Sequence, residues 1–169
     1  MPRKAKRIKR LVRIPNEYFE VIKVGETLFS PLYQLENGLR LAINSYLANF
    51  YGDNWWEYSL KIELPQIYDY AEKHMQKRGN MPSIAKSKLI KPLPIHFVTL
   101  GHLEDIVKKY QSDCIPTIFP TLEFFLGHMH VIKEVRNLFS HMFPCITKND
   151  AQTARREIKT LSEHINEKL

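Results

Sequence analysis

The sequence predicts an all-α protein, a bundle of about five helices. Apolar residues recur at steps of three and four along several segments, the spacing that places them on one face of a helix. Apolar and polar residues do not alternate with a period of two, and β-branched residues rarely cluster. Residues 14–169 are enough to bury one core, so we expect a single helical domain that follows a flexible basic arm, residues 1–13.

The first helix is predicted over residues 31–51. Ser30 and Pro31 form a favourable pair for the N-cap and the first helical position, and Gly52 supplies a stop signal. The segment before it is compatible with a small helix or a strand. Trp55 and Trp56 follow in a turn, and we expect both rings to pack against the helix ends. The apolar face of this helix consists of Leu32, Leu35, Leu39, Ile43, Leu47 and Phe50.

Three other helices are predicted besides the first helix and a central one. The first of them covers residues 65–78, and the second covers about 101–110, where Thr99 is the expected start signal. The third is the last in the chain, and Asn149 or Asp150 is expected to cap it. Its apolar face consists of Ala151, Ala154, Ile158, Leu161 and Ile165.

The central helix is predicted over residues 121–142, with Thr121 as its N-cap. Its last turn contains Arg136, Asn137 and His141 beside an apolar face. Asn137 and His141 are four residues apart and stack on one side, whereas about 140° of rotation separates Arg136 from His141. A second copy crossing the first at a two-fold axis would place the Arg of one chain near the His of the other. We therefore expect a homodimer.

The segment Arg136-Asn137-x-x-x-His141 resembles the signature of the HEPN superfamily, which comprises all-helical RNase toxins and defence proteins. In that signature an Arg precedes a His by four to six residues, and Asn often follows the Arg directly. Residues 33–40, together with residues 51–56, look like the first helix of a subset of these domains. The resemblance extends over nearly everything after the arm, although residues 57–98 match by general pattern only.

The resemblance implies a homodimer that cuts RNA without a metal or a cofactor, in a cleft lined by both motifs. His141 would act as general base toward a ribose 2′-hydroxyl or as general acid toward the leaving 5′-oxygen. Arg136 would hold the scissile phosphate and stabilise its charge, and Asn137 would orient His141 or the phosphate. The expected product is a 2′,3′-cyclic phosphate.

The resemblance also implies a toxin or phage-defence role, with an antitoxin or inhibitor protein as a possible partner. In one subset of the superfamily a nucleotidyltransferase antitoxin modifies a Tyr two residues after the His. Phe143 occupies that position here and has no hydroxyl, so we do not expect restraint by that route.

Other interpretations remain open for the same residues. One is a plain helix end, whose Arg and Asn bond to carbonyls and whose His interacts with the helix dipole. Many superfamily members are non-catalytic, so one alternative is a module that binds nucleic acid or another protein. Another is a helical regulator whose dimer face is its only function. Glu36 and Asn37 are candidates for a supporting role, or else they belong to a helix face turned to water.

The net charge of +7 is concentrated in the arm. The remaining chain has 25 − 7 = 18 basic residues against 18 acidic ones, so its formal charge is zero. Such an arm can neutralise RNA phosphates, a contribution to binding that weakens with salt and reads no sequence; alternatively it is a solvated terminus. The RNA-binding candidates in the arm are Arg3, Lys4, Lys6, Arg7, Lys9, Arg10 and Arg13.

Several classes of protein and site are not expected. The six glycines are isolated from one another, so there is no glycine-rich phosphate loop. His128 and His130 point about 200° apart on their helix and cannot share a metal, and we predict no metal site. No apolar run approaches the roughly 18 residues of a membrane span. Cys114 and Cys145 cannot form a disulfide framework, which favours the cytoplasm.

Overall fold

A computed structural model describes residues 15–79, 93–141 and 146–167, and all regular structure within these ranges is helical. The predicted all-α class is confirmed. The described ranges contain seven α-helices rather than about five, because two short helices, α2 and α5, join the longer ones. None of the described helices has the length and hydropathy of a membrane span. The helices are α1 (Asn16–Tyr51), α2 (Lys61–Glu63), α3 (Pro65–Gly79), α4 (Leu100–Lys109), α5 (Gln111–Cys114), α6 (Leu122–Ser140) and α7 (Lys148–Asn166).

Helix α1 is longer than predicted. It begins at Asn16 and passes through Pro31 without a break, so the predicted start at Ser30 and Pro31 is wrong. The apolar face continues upstream of the proline, where Val24 and Leu28 are buried in the core. Burial of that face stabilises the additional turns against the unfavourable proline.

A residue of α7 compensates for Pro31. Proline has no N–H, so within the helix the carbonyl oxygen of Thr27 lacks its usual donor four residues later. The guanidinium of Arg155 supplies it, because Nε and Nη2 donate to that oxygen at 3.3 and 3.2 Å. The cost of an interior proline is thereby reduced by a contact between residues 128 positions apart.

Helices α1 and α7 lie side by side and run parallel. Thr27 contacts Arg155 near the start of the pair. Further along, a Cβ at Gly38 would lie 3.7 Å from Cγ2 of Ile165. The residue number rises along α1 and along α7 in the same direction from the first contact to the second, so the two helices are parallel.

Helix α6 runs antiparallel to α7. The ring of Phe124, near the start of α6, lies 4.9 Å from that of His164, near the end of α7. One turn further along α6, Nδ1 of His128 bonds to Glu157, which lies earlier in α7. The end of α6 and the beginnings of α1 and α7 therefore share one end of the bundle.

The predicted apolar faces are largely confirmed. On α1 every predicted residue except one is buried; the exception, Phe50, is 58% exposed because it lies in the last turn, where its ring packs on Tyr46 at the surface. All five predicted residues of α7 are buried. Trp55 and Trp56 are buried as expected, with Nε1 of Trp55 donating to Oδ1 of Asn44 at 3.2 Å.

The caps agree with the sequence at α4 and α6 but not at α7. Thr99 and Thr121 each accept a bond from a backbone N–H of the first turn. At α7 the cap is Thr147, so the prediction of Asn149 or Asp150 is wrong. Asp150 instead accepts the backbone N–H of Thr147 at 2.9 Å while Thr147 Oγ1 accepts that of Asp150 at 3.1 Å, a reciprocal capping box.

Candidate functional site at the end of helix α6

The apolar side of α6 fixes its last turn in the bundle. Its middle turns are buried in the core through Phe125, Met129 and Ile132. Near its end, the ring of Phe139 packs directly on the backbone of Gly25 in α1, where a Cβ would lie only 2.5 Å from ring atom Cε2. The absence of a side chain at Gly25 allows this close approach, because a Cβ there would force the Phe139 ring to move.

The polar side of the same turn contains the predicted site. Arg136 is half-buried, whereas Asn137 and His141 are exposed. Nη1 of Arg136 donates to Oδ1 of Asn137 at 3.5 Å, a long bond, so the structure brings these two side chains together. His141 caps the helix, and its backbone N–H donates to the carbonyl of Asn137 at 3.0 Å.

A guanidinium, an amide and an imidazole are therefore presented at the surface from one anchored helix end. The guanidinium can bind a phosphate through several N–H groups, and the imidazole can exchange a proton near neutral pH. The predicted basic arm, by contrast, lies outside the described residues, as does Phe143.

Glu36 and Asn37 have a different role from either one considered for them. Both bond to Arg40, which is 8% exposed: Glu36 Oε1 accepts from Nη2 at 2.5 Å, and Asn37 Oδ1 accepts from Nη1 at 3.4 Å. Arg40 in turn donates to the carbonyls of Ile95 and Val98 at 3.2 and 2.9 Å. The two polar side chains thus hold a buried arginine that fastens the chain before α4 to α1.

A second ionic cluster joins α6 to α4. Glu104 is 8% exposed and receives hydrogen bonds from Lys108 at 2.5 Å and from Lys133 at 2.7 Å. Burial raises the pKa of Glu104, but the bonds from the two lysines outweigh it, so the net shift is downward. This carboxylate stays ionised and paired, which suits a structural link between helices.

The two histidines of α6 point apart, as predicted. His128 is half-buried and bonds to Glu157, whereas the side chain of His130 is 71% exposed. Burial raises the pKa of Glu157, but hydrogen bonds from His128 and Arg156 lower it more. Among the described residues, no three His, Cys, Asp or Glu side chains are grouped so that they could hold a metal ion.

Comparisons with other proteins do not assign a family. No protein-family model, curated protein or solved structure matches this chain. The resemblance to the HEPN superfamily therefore rests on the motif and its helical context, and it stays a prediction.

Proposed function

We propose that this protein is a metal-independent endoribonuclease of the HEPN type, with a toxin or phage-defence role. The observation that supports the proposal best is the end of α6. There Arg136, Asn137 and His141 lie on one surface turn, and Phe139 anchors that turn on Gly25 of α1. Catalytic groups must be held in place by packing, and this turn meets that requirement.

The proposed reaction uses the ribose 2′-hydroxyl as nucleophile. An imidazole takes its proton, the 2′-oxygen bonds to phosphorus, and the bond from phosphorus to the 5′-oxygen breaks. The leaving oxygen takes up a proton, which gives a 2′,3′-cyclic phosphate and a 5′-hydroxyl. Arg136 stabilises the charge that accumulates on the phosphate, and Asn137 orients the imidazole or the phosphate. Because each chain has one His141, a dimer supplies one imidazole as base and another as acid.

An exposed apolar stripe on α1 supports a dimer near this site. Its four residues are spaced by four, seven and four positions, so they share one face of the helix. Phe29 and Tyr33 are 61% and 62% exposed, and their rings stack with centroids 6.2 Å apart. Exposed apolar patches of this kind mark interfaces. The stripe consists of Tyr18, Ile22, Phe29 and Tyr33 and runs past Gly25, where α6 ends.

The oligomeric state tests this part of the proposal. Replacing Phe29 and Tyr33 by Ser should convert a dimer to a monomer in light scattering and abolish RNA cleavage. Tyr58 and Ile62 are 72% and 74% exposed, so the same change at those positions is a matched control and should leave the dimer intact. A wild-type protein that is monomeric at all concentrations, yet cleaves RNA, would contradict the shared site.

Cleavage of labelled RNA tests the chemistry. With a chelator present, the wild type should produce fragments ending in a 2′,3′-cyclic phosphate, and His141→Ala should not. His130→Ala is the control, since His130 is an exposed histidine on the same helix. If the wild type retains RNA without cutting it, and His141→Ala retains it equally, the protein is a binding module and the proposed catalysis is wrong.

A further inference from the structure

We propose that the groove between α1 and α7 binds the sugar–phosphate backbone of a single RNA strand. The choice of RNA rests on the proposed function, whereas binding of a polyanion does not. The groove is formed by two adjoining hollows of about 340 and 300 Å³, and Arg155 lines both of them. Because α1 and α7 run parallel and Arg155 lines both hollows, the two hollows follow one another along the groove.

The charge of the groove favours a polyanion. Four cationic side chains line it, against one acidic residue, Glu20. Glu20 and Lys23 form an ion pair at 2.6 Å and offset each other, so the lining residues retain three net positive charges. The cations of the groove are Lys23, Lys148, Arg155 and Lys159.

The spacing of the cations fits a strand. Lys148, Arg155 and Lys159 are separated by seven and four residues and therefore lie on one face of α7. At 1.5 Å per residue the row extends roughly 16 Å, and a stacked strand advances about 3.4 Å per nucleotide, so it spans about five nucleotides. The amide of Gln152 and the hydroxyl of Ser162 line the same groove and can bond to 2′-hydroxyls.

The central cation is held in place before any ligand binds. Nε and Nη2 of Arg155 donate to the carbonyl of Thr27, the acceptor that Pro31 leaves without a helical donor. The third nitrogen, Nη1, makes no hydrogen bond to a described residue and is available to a phosphate. A side chain that is already ordered loses little entropy on binding, which strengthens its contact.

The shape of the groove favours RNA over a membrane surface as its ligand. The cations of α7 follow one line along the groove, an arrangement that matches an extended strand better than a flat layer of lipid headgroups. No aromatic residue is among those that line the two hollows, so we expect contacts to the backbone and little discrimination between bases.

Binding of RNA by a full-length His141→Ala protein tests the groove without cleavage. Fluorescence anisotropy of a labelled 20-nucleotide strand is measured over a range of salt concentrations. In this parent, Lys148→Gln with Lys159→Gln removes two groove charges. The matched control is Lys73→Gln with Lys77→Gln, two exposed lysines on α3. A thermal melt of each variant verifies folding.

The groove variant should lower the slope of log K against log salt by about 1.4, because each lost phosphate contact contributes about 0.7 on a single strand. Extrapolated to 1 M salt, this corresponds to roughly 25-fold weaker binding at 0.1 M. The control should stay within about two-fold of the parent. Equal losses in both variants, no loss in the groove variant, or no RNA binding by the parent would each overturn the proposal.

Two further outcomes separate this inference from the proposed function. If the wild type does not cleave RNA but the groove variant loses affinity, the groove proposal is supported and the catalytic proposal is wrong. If the wild type cleaves RNA and the groove variant binds as the parent does, only the groove proposal is wrong. Vesicles containing phosphatidylserine serve as the competing ligand, and charge-dependent binding to vesicles in place of RNA would overturn the groove proposal.

Discussion

Replacing Gly25 by Ala tests whether contact with α1 positions the end of α6. A Cβ at this position would lie 2.5 and 2.7 Å from Cε2 and Cδ2 of the Phe139 ring. Carbon atoms prefer separations of about 3.5–4.0 Å, so the ring must move by about 1 Å. Overpacking of this kind lowers the free energy of unfolding by about 1–3 kcal/mol, whereas exchanging Gly for Ala inside a helix raises it by about 1 kcal/mol. We expect a net loss of about 1 kcal/mol.

In a double-mutant cycle with Phe139, the effect of Gly25→Ala on stability should reverse its sign. In a Phe139→Ala background the ring is absent, and Gly25→Ala should then stabilise the protein by about 1 kcal/mol through helix propensity. The coupling between the two positions is therefore about 2 kcal/mol. Urea denaturation followed by circular dichroism measures each free energy of unfolding, and an unchanged slope shows that the midpoints are comparable.

The same cycle bears on the candidate site. Phe139 lies between Asn137 and His141 in the sequence, so a displaced ring shifts the turn that carries both. Gly25→Ala alone should therefore reduce RNA cleavage more than its small loss of stability explains. Stabilisation by Gly25→Ala in both backgrounds would refute the close packing and, with it, this account of how the turn is held.

Two other perturbations follow from single contacts. Arg155→Met should lower the free energy of unfolding by about 1 kcal/mol in the wild type and by almost nothing after Pro31→Ala. The reason is that the introduced alanine would supply the N–H that the carbonyl of Thr27 lacks. Equal losses in both backgrounds, measured by urea denaturation, would contradict the proposed compensation. Burial lowers the pKa of His102, whose Nδ1 accepts the backbone N–H of Thr99 at 3.3 Å. The unfolded chain therefore takes up its proton first as the pH falls through about 6.5, so stability present at pH 7.5 declines toward pH 5. The free energy of unfolding of His102→Gln, measured by urea denaturation, should decline less over this pH range. A pH profile identical to that of the wild type would contradict the prediction.

Local signals explain which parts of the fold could be predicted. The apolar faces of α6 and α7 follow from residue spacing, and the threonine caps of α4 and α6 follow from a hydroxyl placed three residues before a free N–H. The cap of α7 could have been found in the same way, since Thr147 and Asp150 have the spacing of a capping box.

Long-range contacts explain what could not be predicted. Nothing near Pro31 indicates that Arg155 will supply a donor to the carbonyl of Thr27, so the local start signal at Ser30 and Pro31 was given too much weight. The role of Glu36 has the same origin. It pairs with Arg40, whose two carbonyl partners lie 55 and 58 residues further along the chain. For the site, the expected stacking of Asn137 and His141 and the expected dimer stay predictions, because the one side-chain contact described within the motif joins Arg136 to Asn137.

The position of the motif at a helix C-terminus has an electrostatic consequence. The last carbonyls of α6 carry partial negative charge, which disfavours a phosphate by about 0.3–1 kcal/mol. A site that takes RNA at this end needs cations from elsewhere to offset that repulsion. Arg136 supplies one, and Lys148, in the first turn of α7, lies at the same end of the bundle. The antiparallel placement of α6 thus brings the motif and the start of the groove to one end of the bundle, where these cations would offset the charge of the helix end in the proposed RNA site.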